Sequence, residues 1–255
     1  MLHRLRHGPT EATRPPVVIA HGLFGSARNW GAIARALASD RAVIAVDMRN
    51  HGQSPWEPRH GYADLAADLA EVLEAEGPPA DLIGHSMGGK AAMMLALTRP
   101  DLVRRLAVMD IAPVAYGHSQ QGYVDSMRGL DVADRPGRAE ADRRLAATVS
   151  DAGVRGFLLQ SLDLRADPPR WRLNLDALEA NMEAILGWPA PEGRFEGPSL
   201  FLAGGASDYV RPEHREAIRA AFPRARIARI PGAGHWLHAE APDATAATLR
   251  AFLDA

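Results

Sequence analysis

Four short apolar runs without polar alternation do most to limit what this chain can fold into. They are Val17-Val18-Ile19-Ala20, Ala42-Val43-Ile44-Ala45-Val46, Leu82-Ile83 with its flanks, and Leu106-Ala107-Val108-Met109. A strand with one wet face alternates apolar and polar residues; a strand covered on both faces does not. Helical patterns separate the runs. Trp30 to Ala38 is apolar at helical spacing. Leu65, Leu69, Val72 and Leu73 form one stripe on a helix expected over Tyr62 to Glu76. Met87 to Thr98 forms another, closed by Pro100. Covered strands alternating with helices predict an α/β fold, a mostly parallel sheet doubly wound by helices.

The pattern changes after Pro113. From Val114 to Pro191 there are helical pieces and loops, broken often by Gly and Pro, but no convincing strand. Strand patterns resume at Ser199-Leu200-Phe201-Leu202-Ala203 and Arg226-Ile227-Ala228-Arg229-Ile230, and an Ala-rich helix is expected from Pro242 to Leu253. The expected organisation is therefore a core from residues 1–113 and 192–255, interrupted by a helical cap at 114–191.

Composition removes several function classes. The chain of 255 residues has no cysteine, so disulfides, thiolate metal sites and a Cys nucleophile are excluded. Lys+Arg number 29 against Asp+Glu 31, a balance that gives no reason to expect nucleic acid or an anionic membrane as partner. No signal peptide is evident, and the longest nearly apolar stretch, Ala91 to Leu97, is too short to span a bilayer. A cytoplasmic location is the default expectation.

The chemistry centres on Gly84-His85-Ser86-Met87-Gly88, between a predicted strand and a predicted helix. Small residues at both ends allow a sharp turn that lifts the Ser86 hydroxyl off the sheet edge and onto a helix N-terminus. Gly84 to Lys90 also fits the start of a phosphate-binding loop, G-x-x-x-x-G-K. That loop needs Ser or Thr next, and Ala91 stands there. A second glycine-rich turn, His21-Gly22-Leu23-Phe24-Gly25, follows the first apolar run. Its Leu23 N–H, with Phe24 as the lesser option, is expected to pair with the Met87 N–H as an oxyanion hole. His235, in Gly232-Ala233-Gly234-His235-Trp236, is the expected base. His21 and His85 are expected to be structural. His238 lies three residues past His235, but no third ligand has suitable spacing, so no metal is expected.

Two carboxylates compete to orient that base. Asp110 ends a strand in Met109-Asp110-Ile111-Ala112-Pro113. Asp208 follows a later strand in Gly204-Gly205-Ala206-Ser207-Asp208-Tyr209-Val210. In the pattern G-x-x-D-x-x-V, aligned on Gly204 and Val210, Ser207 occupies the carboxylate position and Asp208 falls one residue late. Asp110 is preferred, with Asp208 as the competitor.

These motifs resemble a known family. Val46-Asp47-Met48-Arg49-Asn50-His51-Gly52-Gln53-Ser54 is similar to the D-x-R-x-x-G-x-S segment of α/β-hydrolases. Together with the His21–Ser26, Gly84–Lys90, Asp110–Pro113 and Gly232–Trp236 segments, in the same order, it resembles the YbfF-type carboxylesterases. The resemblance covers nearly the whole chain. It implies an esterase for short- to medium-chain acyl esters, open to acyl thioesters, with a helical cap and the acid at Asp110.

Ser at the turn disfavours the dehalogenases and epoxide hydrolases of this fold, which carry Asp there. Ser with His fits acyl transfer through an acyl-enzyme, resolved by water or, in an acyltransferase, by another acceptor. Phe24, Ile111, Trp236 and Trp188 are the expected substrate contacts. Trp171, Tyr116, Tyr123 and Phe157 are read as cap core or acyl pocket, and Lys90 as a solvated or salt-bridged lysine in preference to a substrate contact. No cofactor is expected. The expected partner is a small-molecule acyl ester, with a homodimer left open. A ligand receptor on a hydrolase scaffold is the alternative of another class, distinguished by tight binding with negligible turnover.

Overall fold

The computed structural model describes residues 1–117 and 119–255. In chain order the elements are β1 (Arg4–His7), β2 (Val17–Ala20), α1 (Gly31–Leu37), β3 (Val43–Val46), α2 (Tyr62–Glu76), β4 (Ala80–His85), α3 (Met87–Thr98) and β5 (Val103–Met109). Then come α4 (Gln121–Arg128), α5 (Arg138–Leu145), α6 (Ala152–Leu158), β6 (Leu162–Asp163), β7 (Arg170–Trp171), α7 (Leu175–Ala180) and α8 (Met182–Leu186). The chain closes with β8 (Ser199–Gly204), α9 (Arg215–Ala221), β9 (Ala225–Ile230), α10 (Leu237–Glu240) and α11 (Pro242–Asp254).

Seven strands form one sheet in the order β1-β3-β2-β4-β5-β8-β9. All neighbours are parallel except β1, which runs antiparallel to β3 on the edge. Every residue of β2, β3, β4 and β8 is buried, which is why Val17–Ala20, Val43–Val46, Leu82-Ile83 and Leu200–Ala203 read as apolar runs. One apolar cluster lies under α2 and α3 and reaches into the segment between β5 and β8. A second, smaller cluster packs α1 and α11 on the opposite face. Burial of this kind stabilises at about 25 cal/mol per Å² of apolar surface.

Strands β5 and β8 are paired neighbours although 89 residues separate Met109 from Ser199. Everything in that interval is an excursion from the sheet edge. Its described residues form five α-helices but also the short antiparallel pair β6–β7, so the expectation of no strand there is corrected. Two-residue strands are too short to leave a periodic signal. The edge strand β1 was also invisible in the sequence, since Arg4-Leu5-Arg6-His7 is mostly polar and only partly buried. Among the described residues, no helix is long and apolar enough to cross a membrane.

Candidate active site

The C-terminal ends of β2, β4, β5 and β8 converge on one cavity of about 210 Å³. This is where open parallel sheets place ligands. Three residues around it have positive φ without being glycine: Phe24 (63°), Ser86 (52°) and Asp110 (49°). Such conformations cost of order 1–3 kcal/mol each and persist where surrounding structure holds them. Here β4 turns directly into α3 at Ser86. Glycine is required on both sides of that turn. A Cβ on Gly84 would sit 2.3 Å from the Gly88 carbonyl oxygen, and one on Gly88 would sit 2.5 Å from the carbonyl oxygens of Ala20 and His21. The glycines bring α3 close enough to the sheet for its first N–H groups to face the cavity.

Ser86 and His235 line this cavity together. Behind His235, fully buried Asp110 accepts a hydrogen bond from His235 Nδ1 at 2.8 Å. A carboxylate only accepts, so the neutral imidazole held here carries its proton on Nδ1 and presents a bare Nε2. Asp110 Oδ1 also accepts from the Gly204 N–H at 2.9 Å, and its Oδ2 from the Ser207 hydroxyl. Ser207 occupies the carboxylate position of the Gly204–Val210 loop, and its hydroxyl serves Asp110 instead. Asp208 is exposed, and among the described residues it makes no hydrogen bond or ion pair with His235. Its carbonyl, not its carboxylate, is engaged, accepting from Arg211 Nε at 3.1 Å.

Neighbouring rings fix the imidazole further. The Tyr209 ring stacks on His235 at 4.0 Å between centroids, with 20° between planes. Burial, with a further contribution from the Asp110 charge, pushes the Tyr209 hydroxyl up to about 12. His85 Nε2 donates to the His235 carbonyl at 2.8 Å. Burial drives the His85 pKa well below the ordinary range, so it is a neutral support. His238 stacks on Trp30 at 4.4 Å, and burial pushes it down to about 3. Among the described residues, no group of three or more His, Asp or Glu side chains is arranged to hold a metal ion.

The second turn is built by two more neutral histidines. His21 Nδ1 donates to the Gly22 carbonyl while its Nε2 accepts from the Met48 N–H at 2.9 Å. His51 Nδ1 donates to the Arg49 carbonyl while its Nε2 accepts from the Phe24 N–H at 3.1 Å. Each ring thus needs one bare nitrogen, and burial lowers both pKa values accordingly. The Asp47–Ser54 segment supports this turn from behind. Asp47 accepts from the Ala27 N–H at 2.8 Å and the Gln53 N–H at 2.9 Å.

Leu23, Phe24, Met87, Ile111 and Trp236 all line the cavity, as do Tyr116, Tyr123 and Phe157. Trp188, also an expected substrate contact, is not among these lining residues; it packs beside the Tyr62 ring, 6.3 Å between centroids. Trp171 is also absent from the lining and donates its indole N–H to the Met127 carbonyl at 2.8 Å. Lys90 is another correction. It is 1% exposed and has no carboxylate partner among the described residues. Instead it donates to the carbonyls of Leu186 (2.9 Å) and Gly187 (2.6 Å). Sequence reasoning missed Tyr62, Ile185, Leu186 and Tyr209 as lining residues, and it ranked a substrate contact by Lys90 below a solvated or salt-bridged role. For Lys90 a signal existed, because it lies four residues past Ser86 and so on the same helix face.

Comparison with known proteins agrees with this fold. A family model described as alpha/beta hydrolase fold matches residues 15–242. The chain is 42% identical over 241 residues to the mouse (Mus musculus) sn-1-specific diacylglycerol lipase ABHD11, covering 91% of this chain and 78% of that protein. It is 38% identical over 253 residues to Esterase YbfF of Escherichia coli, covering 98% of each. Among solved structures, a marine microorganism esterase superposes with a TM-score of 0.92 at 34% identity, covering 98% of both chains.

Proposed function

The chain belongs to the alpha/beta hydrolase fold family, and from that premise we propose that it hydrolyses short- to medium-chain carboxylic esters through an acyl-enzyme on Ser86. Its similarity to an esterase and a diacylglycerol lipase supports an ester-bond hydrolase. The observation that carries the finer reading is the pairing of His235 Nδ1 with buried Asp110, beside a strained Ser86 on the same cavity.

The ester carbonyl carbon sits against Ser86 Oγ. His235 Nε2 takes the hydroxyl proton as Oγ attacks. Asp110 holds the imidazole in the tautomer that leaves Nε2 bare and stabilises the imidazolium that forms. Negative charge develops on the carbonyl oxygen, facing the N–H of Met87 at the start of α3 and the N–H of Leu23. The Phe24 N–H is committed to His51, which favours Leu23 as the second donor. Each donor is worth about 3–4 kcal/mol in the transition state. His235 then protonates the departing alcohol, and water repeats the sequence on the acyl-enzyme. Residues 114–191 act as a cap. They supply Phe157, Ile185 and Leu186 to the apolar wall that receives the acyl chain. The partner is thus a small acyl ester.

The test is release of p-nitrophenol from the acetate, butyrate and octanoate esters. Wild type is expected to turn over, and Ser86→Ala to lose at least about 10³-fold in kcat. Equal rates for the two proteins would overturn the assignment.

A further inference from the structure

Lys90 is a buried cation lining an otherwise largely apolar cavity, and the mechanism above does not use it. It sits one turn along α3 from the nucleophile, its N–H donating to the Ser86 carbonyl at 3.0 Å. Its ammonium donates to the carbonyls of Leu186 and Gly187 and lies over the rings of Tyr116 (4.8 Å) and Tyr62 (5.5 Å). Those carbonyls belong to the end of α8, where a helix leaves acceptors without intrahelical donors. The neighbouring groups finish the same task. Tyr62 Oη donates to the Ile185 carbonyl at 2.5 Å, and the Tyr116 N–H to the Leu186 carbonyl at 3.0 Å. Three consecutive carbonyls at the end of α8 are therefore fastened to α2, α3 and the segment after β5, and Lys90 holds two of the three.

We propose that Lys90 is a positioning residue that sets the acyl-chain limit, by clamping the end of α8 against the nucleophile helix and so fixing the far wall of the cavity. This rests on the reading of Ser86 as the acyl nucleophile. Lysine suits the task because its compact ammonium carries three donors, two for carbonyls and one toward aromatic faces. No carboxylate fixes its charge, and desolvation lowers its pKa to about 7. The titratable groups against it are Tyr62 and Tyr116, both pushed above the ordinary tyrosine range by burial, so neither ionises near neutrality. As pH rises through about 7 the ammonium becomes an amine, the clamp loses its charge and one donor, and the wall loosens.

The experiment measures kcat/KM for p-nitrophenyl octanoate and butyrate from pH 6 to 8.5, for wild type, Lys90→Met and Lys90→Gln. Both esters use the same Ser86 and His235, so the titration of the catalytic groups cancels in the octanoate-to-butyrate ratio. The ratio is expected to rise with pH in wild type. In Lys90→Met it should be at least about tenfold higher at pH 6 and flat with pH, tenfold being the lower end of what one methylene's fit in an apolar pocket is worth. Lys90→Gln, which keeps a donor, should fall between. Ratios within about twofold across all three proteins overturn the proposal. If wild type hydrolyses neither ester, the catalytic reading has failed, and the clamp is read directly by hydrogen exchange on residues 182–188. Faster exchange there in Lys90→Met than in wild type supports the clamp, and unchanged exchange overturns it.

Discussion

Replacing Asp110 with Asn changes one atom, and the structure sets bounds on the consequence. Asp110 Oδ1 accepts from the Gly204 N–H, and Oδ2 accepts from both His235 Nδ1 and the Ser207 hydroxyl. Asn can place its carbonyl oxygen on only one side. If it faces Gly204, the amide NH₂ points at His235 Nδ1. The imidazole proton then moves to Nε2, and the base facing Ser86 has no lone pair. That wrong tautomer costs about 10⁴ in kcat. If the amide flips, His235 keeps its tautomer, but NH₂ meets the Gly204 N–H in a buried donor–donor contact costing about 1–3 kcal/mol. The charge that stabilised the imidazolium is also lost. The expected loss in kcat therefore lies between about 10² and 10⁴, with KM little changed. Asp208→Asn alters an exposed side chain and should stay within about twofold of wild type. Ser207→Ala removes one donor to the carboxylate and should cost no more than about tenfold. Steady-state hydrolysis of p-nitrophenyl butyrate, with thermal melts to confirm folding, decides the matter. Asp110→Asn retaining more than a tenth of wild-type kcat, or Asp208→Asn matching its loss, would refute the reasoning.

Three further outcomes follow from the same geometry. Gly88→Ala forces a Cβ to 2.5 Å from two backbone carbonyl oxygens, so it should destabilise by about 3 kcal/mol in chemical denaturation and abolish activity. His51→Ala frees the Phe24 N–H and loosens the oxyanion turn; kcat is expected to fall about 10- to 100-fold with a smaller change in KM, and an unaltered kcat would show that the turn holds without His51. His60 and His238 are neutral in the fold, with pKa values pushed down to about 3 by burial. Between pH 6.5 and 3 the unfolded chain takes up protons that the fold refuses, so stability is full above 6.5 and falls as pH drops through that window. His238→Phe keeps a ring against Trp30 and removes one such group, so its melting temperature should depend less steeply on pH between 6.5 and 4 than that of wild type.

How much of this could be read from the sequence depended on whether the signal was local. The turn at Ser86 was legible because its three requirements, strand, glycines and helix, are contiguous. Helices α2 and α3 end where periodicity and Pro100 place them. The buried strands were legible because burial on both faces removes polar alternation. Strand β1 was not, because an antiparallel edge carrying Arg4 and Arg6 has no such run. Asp110 could be preferred over Asp208 from strand position, but Ser207's hydrogen bond to Asp110 spans 97 residues and has no sequence signature. The far wall failed for the same reason. Lys90 reads as a solvated lysine until α8 is folded against it, its partners lying 96 and 97 residues away. Trp188 was placed at the substrate because aromatic residues in an insertion usually face either the core or the ligand, and only the path of α8 decides which.

The most direct test of the central claim is covalent. Incubation with an activated organophosphonate ester, followed by proteolysis and mass spectrometry, identifies the nucleophile without assuming any substrate. One adduct per chain is expected, on the peptide containing Ser86, with label and esterase activity lost together in Ser86→Ala and labelling strongly slowed in Asp110→Asn. An adduct on another residue, or hydrolysis that persists in an enzyme fully labelled at Ser86, would contradict it.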